Sequence, residues 1–324
     1  PTLGGVQTDL NGWRSIFLTL TIIGCLAIVL TTFGLHNFGQ ADTSAHADFF
    51  SVGLSIIGFG GLMFGFTNIQ AYPFSAPVVW LPMAIGLAGI IWFVLRQFHT
   101  EKMFKAGKSS RPALLDLSVL RNRSFSIGTI IASLSFFAFS SLIVHIPLFI
   151  QDCRGYSATI SGLVMLPGAI AQAISQFFGG RALDRFGARP VALIGTILLT
   201  AGTACMSTIG LHTWIWSISF YQFIRQIGMG FVMMPVTTWS LNCLKPSEVS
   251  AGSAVTNTVR QIAGAVGSPV MILIMYSITA ASMSNGQQTI PANITGIEWA
   301  LRISAVINFI MILMVVFGVK GEDA

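Results

Sequence analysis

Apolar positions along the chain gather into long runs of about 20 residues, divided by short polar breaks. A helix rising about 1.5 Å per residue needs about 20 such positions to cross a hydrocarbon core roughly 30 Å thick. Nine stretches have that length: residues 15–35, 48–69, 77–98, 125–150, 158–180, 191–211, 214–241, 250–281 and 299–318. The runs are continuous rather than strictly alternating, so they are not barrel strands. Helices are the other structure that satisfies its own backbone in lipid. The predicted fold class is all-α, a polytopic membrane helix bundle of about nine transmembrane helices.

Composition agrees with the pattern. The 324 residues are 53% hydrophobic and 9% charged, where a soluble domain carries about 25% charge. The net charge of +6 is spread over the breaks rather than along one aromatic-interleaved face, which argues against a nucleic-acid partner. Cys25, Cys153, Cys205 and Cys243 have no disulfide or metal spacing, and the five histidines are dispersed. No metal and no cofactor is expected. There is no glycine-rich phosphate loop and no Ser/His/Asp set in a pocket-like context, so no enzyme and no catalytic residue is predicted. The lipid bilayer is the first expected partner.

Basic residues set the orientation, because short loops rich in Lys and Arg are retained in the cytoplasm. With the break at 179–190 inside, the inner segments hold Arg96, Lys102, Lys105, Lys108, Arg111, Arg121, Arg123, Arg181, Arg185, Arg189, Lys245 and Lys320. The outer segments hold only Arg14 and Arg154, and Arg225, Arg260 and Arg302 lie within spans. This topology puts Pro1 outside and Ala324 in the cytoplasm, and the polar loop 282–298, free of Lys and Arg, outside. A multi-pass protein of the cell membrane is expected, with a bacterial inner membrane as the setting. The chain reads as a fragment, and a cytoplasmic start would need an odd number of helices upstream.

Several breaks and spans carry local signals. Gly12-Trp13-Arg14 places an indole and a guanidinium at headgroup level before the first span. Gly58, Gly60, Gly61 and Gly65 give the second span a surface for close helix packing. The segment 96–123 has seven basic residues against Glu101 and Asp116, a net +5, and lies beside anionic lipid. In the break GGRALDRFGARP, Gly179, Gly180 and Gly187 permit a tight turn, and Pro190 suits the start of the next helix. Asp184 has Arg181, Arg185 and Arg189 within reach, a cluster that either latches helix ends or is a plain cytoplasmic turn.

Ionisable groups within spans are costly and so are candidates for function. Arg225 lies near mid-membrane, and two readings stay open: it lines a translocation path, or it is a structural arginine bonded to carbonyls and to Gln222 and Gln226. Ser253, Asn257, Arg260, Gln261, Gly264 and Ser268 recur at spacings of three and four, forming one polar, small-residue face that is a packing seam or a cavity wall. Arg302 stands beside Glu298 and snorkels, and His145 bonds carbonyls freed by Pro147 rather than relaying protons. No Asp or Glu occupies the middle of a span.

These stretches resemble one family. GGRALDRFGARP is similar to the signature loop of the major facilitator superfamily, G-x-L-x-D-R-x-G-R-K, as it recurs in the second half of such transporters. It keeps Gly180, Asp184, Arg185, Gly187 and Arg189, and departs at 182–183 and at Pro190. Pro1, Gly4 and Gly5 match the tail of the antiporter motif G-P-x-x-G-G of fourteen-helix, EmrB/QacA-type drug:proton antiporters. The stretch 12–17, GWRSIF, resembles the start of their sixth helix, and 254–267, AVTNTVRQIAGAVG, a segment of their thirteenth.

The resemblance implies a partial major facilitator fold from helix six onward. Residues 1–35 would hold the motif end and the last helix of a first six-helix domain, and 36–98 two additional central helices. A basic cytoplasmic loop at 99–124 and a second six-helix domain at 125–324 would follow. It further implies proton-coupled multidrug efflux by alternating access, with a latch at Gly180 to Arg189 and a path near Arg225, Gln226, Asn257, Arg260 and Gln261. The coupling ion would be H+, the substrates small hydrophobic or cationic drugs, and the proton-carrying acids would lie in a missing N-terminal half. A major facilitator importer, symporter or uniporter of a small metabolite is the alternative; a channel or a membrane-embedded enzyme is less consistent with the loop and with the scattered arginines.

Overall fold

The computed structural model describes residues 2–34, 48–69, 72–73, 75–106 and 115–319. Ten α-helices run through them: α1 (Thr2–Asn11), α2 (Arg14–Gly34), α3 (Phe49–Asn68), α4 (Pro77–Lys105), α5 (Arg123–Leu148), α6 (Ala158–Phe186), α7 (Ala188–Met206), α8 (Ile215–Asn242), α9 (Val249–Ser284) and α10 (Thr289–Gly318). A π-turn (Phe149–Cys153) extends α5, and 3₁₀ turns (Leu117–Arg121, Pro246–Glu248) precede α5 and α9. Among the described residues the fold is all-helical. Eight helices of the described residues are long and apolar enough to cross a membrane.

The ninth expected span, α8, is long enough but too polar for that criterion. The reason lies in its position. Helix α8 packs between α6 and α7, and fourteen of its residues are buried, so its polar side chains face protein rather than lipid. By contrast, α2 has no buried residue at all.

Other boundaries shift from the sequence expectation. Residues 179–186 are not a loop: α6 continues to Phe186 because Leu183 stays buried against α7 and α8. The turn into α7 is Gly187 alone, at φ +77° and ψ 167°, a conformation essentially restricted to glycine. Pro190 consequently sits at the third position of α7, within its first turn, rather than at its first position. Residues 289–298, read as part of an outer loop, open α10, because Ala292 and Gly296 meet Thr279 and Met275 of α9 while Ile294 and Ile297 are buried in an apolar core. The stretch 2–11 adds the short helix α1. Pro1, Lys108, Arg111, Lys320, Ala324, the Lys105 side chain and the stretch 35–47 lie outside the described residues.

Helices α5 to α10 share two apolar cores at opposite ends. One contains Ile146, Phe149, Ile209, Ile218, Met275 and Leu301; the other, near the Gly187 turn, contains Leu183, Ala192, Met229, Trp239 and Val315. Between them, at the same level on four helices, lie Gln172, Thr203, Gln222, Arg225, Gln226, Ser304 and Asn308. The six-helix unit is thus apolar at both ends and polar at mid-depth. Alongside it, α3 and α4 form a hairpin tied at one end by Asp48, which caps α3 and pairs with Arg96 at 3.1 Å.

Candidate functional site

Arg225 is the largest fully buried side chain, 1% exposed. It stands where α8 presses against Gly202 of α7, whose missing side chain leaves room for the arginine Cβ; a Cβ at Gly202 would lie 2.7 Å from it. One guanidinium nitrogen donates to Gln226 Oε1 at 3.4 Å, while Nε and Nη2 have no partner among the described residues. Gln226 in turn donates to Gln172 Oε1 on α6 at 3.2 Å, and Asn308 of α10 donates to Thr203 Oγ1 of α7 at 3.0 Å. Gln222 Oε1, Ser304 Oγ and Asn308 Oδ1 are also buried without partners. The mid-depth layer therefore offers unpaired donors and acceptors together. Among the described residues, the ion pairs are Arg96–Asp48 and Arg302–Glu298, and neither reaches Arg225.

The Arg225 guanidinium lies 5.7 Å from the centre of the Phe139 ring. Phe139 belongs to α5 and lines a cavity of about 700 Å³ walled by α3, α5 and α9. The wall includes Phe59 and Met63 from α3, Phe136, Ser140 and Ile143 from α5, and Asn257 and Gln261 from α9. Arg260 sits at its edge: its guanidinium covers Phe136 at 5.5 Å and donates to Asn257 Oδ1 at 2.8 Å. Phe136 and Phe139 are themselves paired, with centroids 5.8 Å apart and planes tilted by 32°. Two cations thus flank one aromatic pair, and each can be attracted to a ring face. The surface is mainly apolar and carries no acid, which suits a large, aromatic or aliphatic guest with few fixed polar contacts.

A second cavity, about 340 Å³, lies farther along α5 between α1 and α6 and shares Ile143 with the first. Gly5 is at its wall, and the backbone of α1 is so close there that a Cβ on Gly5 would collide with the Ala158 carbonyl. Thr2 Oγ1 donates to the Gly162 carbonyl at 2.9 Å, and the Thr159 amide donates to Asp9 at 2.7 Å. The Thr159 hydroxyl and amide together hold the Asp9 carboxyl below its ordinary value. Gly4 meets only the Ile16 side chain of α2. Gly5 therefore belongs to a seam between α1 and α6, whereas Gly4 faces α2.

The conformational cluster at the other end is arranged differently from the sequence expectation. Asp184 takes no ion pair among the described residues. Arg181 covers Phe177 at 4.4 Å, Arg185 lies 5.3 Å from the Phe186 ring, and Arg189 donates to the Val316 carbonyl of α10 at 2.8 Å. Gly180 faces open space, and Gly187 makes the turn. His145 Nδ1 lies 2.6 Å from the Ser141 carbonyl, and Arg302 pairs with Glu298 at 3.2 Å over the Trp299 ring. Of the predicted path residues, Asn257 and Gln261 line the large cavity, Arg260 borders it, and Arg225 and Gln226 lie behind Phe139.

The aromatic pair of α5, the α3 wall and Asn308 were not identified from sequence. Asn308 had a usable signal, an amide in the middle of an apolar run; Phe136 and Phe139 had none in a chain with 25 phenylalanines.

Comparison with known proteins follows the same lines. The family model described as Major Facilitator Superfamily matches residues 49–268. The chain is 28% identical over 316 residues to the uncharacterized MFS-type transporter YcnB of Bacillus subtilis, covering 97% of this chain and 64% of that protein. It is 29% identical to the lincomycin resistance protein LmrB of Listeria monocytogenes, covering 99% and 67%. With the multidrug resistance protein Stp of Mycobacterium tuberculosis it shares 26%, covering 88% and 50%. The chain thus spans about half to two thirds of the length of these relatives. A bacterial homologue of the human lysosomal transporter Spinster, solved in an inward-facing, unoccupied conformation, shares the fold. It aligns at 12% identity with a TM-score of 0.50, over 83% of this chain and 68% of its own.

Proposed function

The chain belongs to the Major Facilitator Superfamily, and from that premise we propose that it is the greater part of a proton-coupled multidrug exporter working by alternating access. The observation that carries this reading is the cavity along α5, whose broad aromatic and aliphatic wall selects by shape rather than by a fixed polar code. Arg225, at mid-depth behind that wall, supports it, since a buried cation without a fixed acid partner can take different partners as a transporter changes state. Resistance and multidrug resistance proteins among the relatives point the same way.

On this reading the Gly187 turn, with Arg185, Arg189 and Asp184, faces the cytoplasm, and the α1–α6 seam closes the outer side. The membrane is the cell membrane, with the bacterial inner membrane as its setting. Substrates are small hydrophobic drugs. Cationic ones fit less readily on this side of the path, because the cavity's nearest charges are Arg225 and Arg260. No acid sits at mid-span among the described residues, so the proton-carrying carboxylates belong to sequence outside these 324 residues.

The test is accumulation of a fluorescent hydrophobic drug in cells making the whole protein. Expression should lower accumulation, and collapse of the proton gradient should abolish that effect. Accumulation raised by expression would instead establish the importer or symporter alternative, and insensitivity to the gradient would remove proton coupling.

A further inference from the structure

The large cavity beside α5 carries positive charge that its own helices do not balance. Its wall comes from α3, α5 and α9, and none of these helices contains Asp or Glu. Two arginines stand against that wall. Arg260 of α9 is held by two wall residues at once: it donates to Asn257 Oδ1 at 2.8 Å, and its guanidinium lies 5.5 Å from the centre of the Phe136 ring. Its Nε is buried with no partner among the described residues. Arg225 reaches the other ring of the pair, Phe139, at 5.7 Å, and leaves Nε and Nη2 unpaired.

Local sequence builds this arrangement. Asn257, Arg260, Gln261 and Gly264 recur at spacings of three and four and so share one face of α9. At Gly264 a Cβ would stand 2.5 Å from the Phe136 ring, so the missing side chain lets the ring lie against α9 one turn from Arg260. Gln261 is exposed on the cavity wall, where its amide can donate. A cation without a counter-charge is costly at membrane depth. A guanidinium with unused N–H groups is a planar receptor for a carboxylate, and the two rings beside it offer an apolar surface to the rest of a guest. An ammonium guest would meet two like charges and no acid from these helices, and a neutral guest would leave the guanidinium uncompensated.

We infer that this cavity prefers aromatic compounds bearing a carboxylate, with the acid held by Arg260 and Gln261 and the aromatic body against Phe136 and Phe139. Arg225, on the far side of Phe139, adds attraction without contact. This names the substrate class of the exporter proposed above and rests on the cavity being its substrate site.

The experiment is equilibrium dialysis of 1-pyrenebutyrate and of its uncharged amide against the whole protein in neutral detergent at pH 7, where the acid is ionised. Binding in detergent involves no gradient and no direction of transport, so a failed efflux assay and a failed preference are separate results. The acid-to-amide affinity ratio of the unaltered protein should fall roughly tenfold in Arg260→Gln. Gln261→Glu, at an exposed wall position, sets a carboxylate beside Arg260 and should lower the ratio likewise, which keeps the test open should Arg260→Gln fail to fold. Arg302→Gln, which removes a cation paired with Glu298, has the same effect on net charge as Arg260→Gln and should leave the ratio as it was. The micelle is common to all samples, so the change in ratio reports the site. A ratio unchanged in Arg260→Gln would assign the carboxylate opposite Arg260 to the protein itself and overturn the inference, as would a ratio unchanged in Gln261→Glu. An equal fall in Arg302→Gln would make the preference one of overall charge and overturn it as well.

Discussion

A buried guanidinium with two unpaired nitrogens is a poor way to stabilise a bundle, and Arg225 is best judged by that contrast. Replacing even a buried ion pair by apolar side chains of similar size is often neutral or stabilising, by about 1–4 kcal/mol, and an unpaired buried charge has less attraction to lose. If Arg225 serves transport, Arg225→Met should cut drug efflux at least about tenfold while the thermal midpoint stays the same or rises. If it serves only structure, through Gln226 and the Phe139 ring, the midpoint and membrane expression should fall together. Asp48 is the opposite kind of residue. It accepts from the Ser51 hydroxyl at 2.6 Å and pairs with Arg96 at 3.1 Å, and the Ser51 bond, ahead of Arg96, holds its carboxyl below the ordinary 3.8. A depressed carboxyl stabilises the fold above its unfolded value and loses that contribution as pH falls through the folded one. The α3–α4 hairpin should therefore show constant amide protection from neutral pH down to about 4 and lose it in stronger acid, and Asp48→Asn should remove the pH dependence. The pair is partly exposed, so the effect should be about 1 kcal/mol at most.

Helices were legible from sequence where burial in lipid and burial in protein demand the same thing, an unbroken apolar run. Their ends were misjudged where the two demands part, whereas α8, polar because its neighbours are helices, was still read as a helix at 214–241. The end of α6 is charged yet helical, because Leu183 alone keeps that turn docked, and 289–298 is polar overall yet buries Ala292, Ile294, Gly296 and Ile297. The site divides in the same manner. Arg225, Asn257, Arg260 and Gln261 stood out because polarity in an apolar run has to be explained, whereas the ring pair that joins them was indistinguishable from lipid-facing phenylalanine. The α6–α7 junction gives a direct element-scale test. With φ at +77° and ψ at 167°, residue 187 strains any side chain, so Gly187→Ala should cost about 1–3 kcal/mol, seen as a lower thermal midpoint in detergent. Gly180→Ala, which meets open space in a helix interior, should be neutral or slightly stabilising, by up to about 1 kcal/mol.

At the scale of the whole molecule, the alternating access proposed above would require at least one close seam in this structure to open during the cycle. The α1–α6 seam is the candidate. It is held by a short run of contacts, Gly5 against Ala158, Thr2 to Gly162 and Asp9 to Thr159, rather than by a broad apolar face, and it flanks a cavity that meets the larger one at Ile143. A helix pair fixed by so few polar and backbone contacts can separate without exposing a core. The Asp9 carboxyl is held below its ordinary value, so this contact persists at all pH values above about 4 and is lost only in stronger acid; it is not the proton-sensitive step of a cycle running near neutrality. Opening must then be driven from the ligand side of the path. Cysteines at 9 and 159, introduced into the whole protein with its native cysteines replaced, place thiols on neighbouring groups across the seam. Oxidative cross-linking should stop efflux and reduction should restore it, while either cysteine alone should leave transport insensitive to oxidant. A cross-linked transporter that still exports at its full rate would mean that α1 and α6 travel together, and the moving boundary would have to be sought on another face of α5.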